Sequence, residues 1–356
     1  MDKKTLFIKP SRSFAEEQVK LDPVLVASNK ASNIETTLLL DTNIIISMEK
    51  VVKYGNKWAS VKQQGLHNLV RLLQRCPPQS IAISPGSAID EMPPQLGRQA
   101  RIAYDQFCAK HLSWFVDAPN CEKVEPTGEF ETYGFTDLPN QSKAALSIMF
   151  SCVIYLNIVD RFIDGSREEK FTAYLDFLTD KVGYLSATEI EVAKYCLWEP
   201  PATSREIIKV RQGIRANFLK TNQGKSPRSK QDILDVAYNA ARDIFLLHIA
   251  NIVDTHGVDG VRQDVWIVTK DKKLSEFCKL FHHVNIDGQA GKGVALAILP
   301  EQENDPFWTF AVNEFAQRHD ARMAFNRLRN PDISEGELID IAEQAIKELD
   351  IHYKDT

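Results

Sequence analysis

The stretch Thr37-Leu-Leu-Leu-Asp41-Thr42-Asn43-Ile-Ile-Ile46 decides the fold. Its opening is short, continuous and apolar, and it ends on an acid. That pattern predicts a central parallel strand, buried on both faces, with Asp41 at its carboxyl end. Working outward, Ser80-Ile-Ala-Ile-Ser84 reads as a second short strand, and Pro85 suits the first turn of a helix running towards Asp90 and Glu91. Val265-Trp-Ile-Val-Thr269 is a third buried strand, followed by Lys270-Asp271 and a helix through Phe281. Val294-Ala-Leu-Ala-Ile-Leu299 reads as an edge strand. A helix over 58–76 carries Leu66, Leu69, Val70, Leu72 and Leu73 on one side and stops at Pro77 and Pro78. A long one over Gln231 to Ile252 turns Ala237, Ala240, Ala241, Ile244 and Phe245 inward. Strands alternating with helices predict an α/β fold, a doubly wound parallel sheet with helices on both faces.

A block of helices interrupts this pattern. Helical periodicity covers Ile102 to Phe115, Lys143 to Phe162, Glu168 to Leu178, Ser186 to Trp198 and Ser204 to Lys220, with a capping box expected at Ser186 and Glu189. The block is too long for a loop and reads as an insertion with its own core. The expected organisation is an N-terminal arm over 1–35, the first half of the α/β domain over 36–92, an all-helical insertion over 93–230, the second half over 231–300 and a C-terminal helical extension over 301–356.

The chain has 356 residues and a net charge of −5, so a polyanion would have to be met by a local basic patch. Its six cysteines, at 76, 108, 121, 152, 196 and 278, form no CxxC pair. The pattern fits neither a secreted disulfide framework nor a zinc site, and suits a reducing cytosol. The N-terminus has a basic start but no apolar run, so no signal peptide is expected. The most apolar stretch, Ala144 to Val159, is shorter than a membrane span and reads as a buried helix. His282-His283 lacks a nearby third ligand and reads as a surface or strand-edge feature, and the cysteines as structural.

The chemistry begins at the strand ends. In an open parallel sheet, carboxyl ends of strands line a crevice where the strand order reverses. Asp41 directly follows its strand and Asp271 lies two residues beyond a later one. Two carboxylates about 4 Å apart repel by roughly 4 kcal/mol at an effective dielectric near 20. A divalent cation with hard oxygen ligands, Mg²⁺ or Mn²⁺, relieves that repulsion. Asn43 is placed to orient a carboxylate or hold a water. Glu91 follows the second strand, with Asp90 as the adjacent alternative. Asn239 and Asp243 share a helix face with Asp235. The bland reading is that Asp41 and Asp271 are helix caps and Asp243 a solvated helix residue.

Leu38-Leu-Leu-Asp41-Thr42-Asn43-Ile-Ile-Ile resembles the opening strand of PIN-domain ribonucleases. Ile81-Ala-Ile-Ser-Pro with Glu91, Ala240-Ala-Arg-Asp243-Ile-Phe-Leu-Leu and Ile267-Val-Thr269-Lys-Asp271 are similar to the elements bearing that family's second, third and fourth acids, in the family's order. The resemblance covers residues 37–92 and 232–299, and the stretch between Glu91 and Asp243 is far longer than in small family members. It implies metal-dependent hydrolysis of RNA phosphodiester bonds, leaving a 5′-phosphate and a 3′-hydroxyl. Asp41, Asp243 and Asp271 would hold Mg²⁺ or Mn²⁺. Glu91 would bind a second ion or orient the attacking water, with Asn43, Thr269 and Asn239 in support.

Ile207 to Gln231 carries seven basic residues and no acidic one: Lys209, Arg211, Arg215, Lys220, Lys225, Arg228 and Lys230. With Lys270, Lys272 and Lys273 beside Asp271, this run is expected to bring an RNA backbone to the acidic cleft; its bland reading is a solvated helix and loop. A protein partner would use the helical insertion. Two other functions compete: a non-catalytic PIN-like scaffold binding RNA or a protein, and a phosphatase of the haloacid-dehalogenase type. The latter needs an aspartate where this chain has Asn43.

Overall fold

The computed structural model describes residues 4–12, 20–112, 133–200, 205–220, 226–286, 289–296, 300–326 and 333–354. Their contacts divide the chain into two compact units, one of Met1–Tyr133 with Leu246–Leu296 and one of Gly134–Phe245 with Ala297–Thr356.

The first unit is α/β. Its strands are β1 (Leu6–Ile8), β2 (Ser11–Arg12), β3 (Ile34–Leu40), β4 (Ile81–Ser84), β5 (Arg262–Thr269), β6 (Phe281–Ile286) and β7 (Gln289–Leu296). Four of them form a sheet in the order β1-β5-β3-β4. β3 pairs in parallel with both neighbours, setting Leu38 opposite Ile83 on one side and Trp266 on the other. Thr36 to Leu40 are all buried, as a central strand covered on both faces requires. Leu38, Leu40, Trp266 and Val268 share a core with Ile44, Ile45 and Met48 of the Thr42–Lys53 helix, Leu69 and Leu73 of the His67–Arg75 helix, and Phe107 of the Pro94–His111 helix. Burying a side chain of this kind contributes about 1.5–3 kcal/mol, so the sheet and these helices stabilise one another.

Several expectations are corrected here. The sheet is mixed, because β1 runs antiparallel to β5. Residues 1–35, read as an arm, supply that edge strand and the Pro23–Ala31 helix; strands of three and two residues are too short to show a period. The 58–76 segment is two helices, Trp58–Gln63 and His67–Arg75, parted at Gly65 with φ +68°. The helix after Asp271 ends at Leu280. Beyond it β6 is the middle strand of a second sheet, β2-β6-β7, so His282 and His283 do not lie on an edge strand. Val294 to Leu296 belong to β7, an edge strand of this second sheet as the sequence reading has it, and 297–299 lie outside the described residues. The Pro94–His111 helix, expected in the insertion, belongs to the first unit.

The Lys230–His256 helix passes from one unit into the other. Its last turns meet the start of β5, where Asp254 accepts from the Val265 N–H at 2.8 Å and Lys9 bonds both Asp254 and Asp264. Gly257 ends the helix at φ +70°, where a Cβ would lie 2.3 Å from the Val261 carbonyl oxygen. Only glycine fits that turn.

The second unit is built of helices. Asn140–Phe162, 23 residues long and with 72% of its most apolar window buried, packs against Glu335–Lys354. The insertion and the C-terminal extension therefore form one unit. A capping box closes the Arg167–Phe177 helix through Ser166 and Glu169. The box expected at Ser186 is absent: that hydroxyl hydrogen-bonds the Glu189 carboxylate and no side chain caps the Ala187–Leu197 helix. On this helix Lys194, 3% exposed, pairs with buried Glu191 and lies 5.0 Å from the centre of the Trp308 ring. Trp198 Nε1 donates to Asp305 at 2.9 Å.

Burial pushes the Glu191 carboxyl pKa up, against the pull of Lys194. A carboxyl with a raised folded-state pKa favours folding most below its unfolded pKa, and that contribution is lost as pH rises through the folded value. Lys194→Met should therefore destabilise the second unit by roughly 3–5 kcal/mol at neutral pH, by stranding a buried charge. The deficit should shrink in mild acid. Calorimetric unfolding at the two pH values checks this, and a deficit that ignores pH would rule out a charged Glu191 as its source.

Candidate functional site

Chain leaving β3 passes to β4 on one side, and the next strand of the sheet, β5, lies on the other. The order therefore reverses between β3 and β5, and their carboxyl ends carry Asp41 and Thr269. The Asp41 N–H still bonds the Val268 carbonyl at 3.0 Å, so the ladder holds to the last residue of the crevice floor.

One hydroxyl organises this point. Thr269, fully buried, donates to Asp41 Oδ2. It accepts from Asn43 Nδ2 at 3.0 Å and from the Asp271 N–H at 2.9 Å. A threonine hydroxyl has one proton and two lone pairs, and all three are used. Asn43 is equally committed: Nδ2 also donates to Asp41 Oδ2, and Oδ1 accepts from the Lys270 N–H at 2.9 Å. An aspartate at 43 lacks the amide donor and would set a second negative charge against Asp41, which weighs against the phosphatase pattern.

Asp41 thus has its carboxylate fixed by two side chains, while Oδ1 caps the Thr42–Lys53 helix through the Asn43 N–H at 3.3 Å. Asp271 caps the Lys272–Leu280 helix, accepting from the Lys273 N–H at 2.6 Å and the Leu274 N–H at 3.2 Å. Of the two candidates for the second acid, Asp90 is exposed and Glu91 is buried. Glu91 Oε2 accepts from Thr42 Oγ1 at 2.9 Å, which ties it to the residue beside Asp41. Thr42 is the member of the site that the sequence reading passed over, although it stands between Asp41 and Asn43.

Asp243, Asn239 and the basic run belong to the second unit. Asp243 is half-buried and accepts from Asn217 Nδ2 at 3.2 Å. Asn239 is exposed and donates to the Asp235 carbonyl at 2.8 Å. Three members of the basic run make contacts within this unit. Arg215 makes a two-pronged pair with Asp160, at 2.8 and 3.0 Å, and also bonds the Cys196 carbonyl. Arg211 reaches the same carbonyl at 3.4 Å, and Lys230 pairs with Asp350 at 2.5 Å. These three brace the helical unit. Lys209, Lys220 and Arg228 are exposed, and Lys225 lies outside the described residues. In the first unit Lys272 and Lys273 are exposed, whereas Lys270 turns inward to Ser47 Oγ at 2.5 Å and the Gln64 carbonyl.

The donors at the switch point are hard oxygens, which suit Mg²⁺ or Mn²⁺. Among the described residues no three His, Cys, Asp or Glu side chains are grouped to hold one ion. Magnesium is commonly held by one or two carboxylates, with waters and substrate phosphates completing the shell, so the donor set fits on those terms.

Asn43→Ala should cost roughly 1–3 kcal/mol, since it strips a partner from the Lys270 N–H and from Thr269. Asn43→Asp should cost more. Urea unfolding in chelator reads both, and wild-type stability for either would mean that the hydrogen bonds around Thr269 do not form in solution.

Comparison with known proteins finds no matching protein-family model, no matching curated protein and no matching solved structure.

Proposed function

We infer that the first unit is a PIN-like endonuclease that hydrolyses RNA phosphodiester bonds with Mg²⁺ or Mn²⁺ at the β3–β5 switch point. The observation that carries this reading is the joint itself, an aspartate at the end of the central strand immobilised by the hydroxyl that ends its parallel neighbour. Three parallel strands in the order β5-β3-β4 support the doubly wound part of the reading, and β1 is an added antiparallel edge.

A bound divalent ion would offset charge building on the phosphoryl oxygens. Asp41 is the residue to hold it, because its carboxylate is already oriented and no reorganisation is needed on binding. Thr269 and Asn43 act through Asp41 as positioning residues. Glu91, tied to Thr42, and Asp271, at the head of its helix, are the further acids of the same unit. Asp243 enters on the sequence resemblance alone.

A second reading is a scaffold that binds RNA without cleaving it. It is favoured by the two backbone N–H groups that the Asp271 carboxylate already accepts as a cap.

Purified chain with labelled single-stranded RNA, single-stranded DNA and a phosphomonoester, with Mn²⁺ or Mg²⁺ against chelator, separates these readings. RNA cleavage should need the metal and fall by about a hundredfold or more in Asp41→Asn. Asp243→Asn distinguishes a site confined to the first unit from the four-acid set. Binding without cleavage in the wild-type chain would favour the scaffold, phosphomonoester turnover the phosphatase, and cleavage surviving Asp41→Asn would place the chemistry elsewhere.

A further inference from the structure

The first unit has a cleft of about 770 Å³ on the β1 side of its sheet. Its wall is one face of the His67–Arg75 helix, where Asn68, Arg71, Leu72 and Arg75 follow the i, i+3, i+4, i+7 spacing. Lys20, Phe7 and Trp266 also line it. Lys20, Arg71 and Arg75 are exposed. Among the described residues no carboxylate pairs with either arginine. Asp22 is the one acid in the lining, and its Oδ1 accepts from the Val24 and Leu25 N–H groups at 2.9 and 3.0 Å. The cleft is thus cationic in a chain whose net charge is −5.

Its position is the second observation. Thr5 and Leu6 line it, and Leu6 stands in register opposite Thr269, the residue that fixes Asp41. Thr5 Oγ1 bonds the Gly65 carbonyl at 2.9 Å, next to Gln64, whose carbonyl holds Lys270. One end of the cleft therefore lies near the carboxyl end of β5, on its β1 side.

We propose that this cleft is the entry track for single-stranded RNA, with Arg71, Arg75 and Lys20 taking successive phosphates and the apolar lining around Phe7 and Leu72 taking a base. Arginines one turn apart stand about 6 Å apart along the helix axis. Their planar forks suit phosphate oxygens, and a volume of this size suits a nucleotide better than a duplex. The track adds to the positive surface that the exposed Lys272 and Lys273 give the acidic switch point. It takes over in the first unit the role that the sequence assigned to the basic run of the second. It rests on the nuclease reading for its purpose but not for its measurement.

The test uses full-length chain carrying Asp41→Asn, in chelator, with a fluorescent 12-residue oligouridine RNA read by anisotropy across a salt series. The Arg71→Glu/Arg75→Glu pair should weaken binding at least tenfold. It should also flatten the slope of log affinity against log salt by about 1.4, for two lost phosphate contacts on a single strand. Lys50→Glu/Lys62→Glu, exposed residues of the same unit outside the cleft, should change neither quantity beyond a small general charge effect. Unchanged affinity and slope in the arginine pair would overturn the proposal, as would equal competition by an oligoglutamate of matched charge, which would mark an acidic-peptide site. If the wild-type chain cleaves and the arginine pair cleaves and binds as well, the track fails while the nuclease stands. If nothing cleaves but binding depends on Arg71 and Arg75, the nuclease reading fails and the track stands.

Discussion

The parallel pairing of β3 with β5, closed at its end by the Thr269 hydroxyl, is the constraint on which the first unit depends. It joins segments more than two hundred residues apart in sequence, and it ends in a buried side chain with no spare hydrogen-bonding capacity. A buried hydroxyl in that condition has one orientation. It sets the direction of Asp41, fixes Asn43, and places the Asp271 N–H at the head of the next helix. The two helices leaving the switch point therefore start from a common point, with their capping carboxylates attached to the same joint. Capping and a functional role are not alternatives here, since the bonds that cap the helices also hold the acids still.

Much of this was legible in the sequence. The apolar runs ending at Leu40, Ser84 and Thr269 gave their strands away because central parallel strands must be apolar on both faces, and few other elements show four or five such residues between polar punctuation. The long helices were equally plain from their period. The short edge strands Leu6–Ile8 and Ser11–Arg12 were not, because two or three residues cannot display alternation. Phe281–Ile286 was hidden behind the helix it follows without a break.

At the site, residue types at strand ends pointed to Asp41, Asn43, Thr269 and Asp271. What the sequence could not convey was the saturation of Thr269, which depends on three partners just beyond the ends of two strands. Charge was the least readable property. Arg211 and Arg215 look like a surface patch in one dimension, yet both bond the Cys196 carbonyl and Arg215 also grips Asp160. Arg71 and Arg75, in an unremarkable amphipathic helix, gain meaning only from the cleft that the helix borders. A basic residue's role is set by what lies opposite it, and sequence does not report that.

The position of β5 in the chain has a consequence for synthesis. β3 and β4 leave the ribosome together, but the strand that covers the other edge of β3 begins at Arg262. For as long as the intervening residues are being made, the central strand β3 has one row of peptide groups without its partner. The late-arriving strand acts as a keystone. Until it is set, the nascent chain carries the sort of open strand edge that recruits other chains.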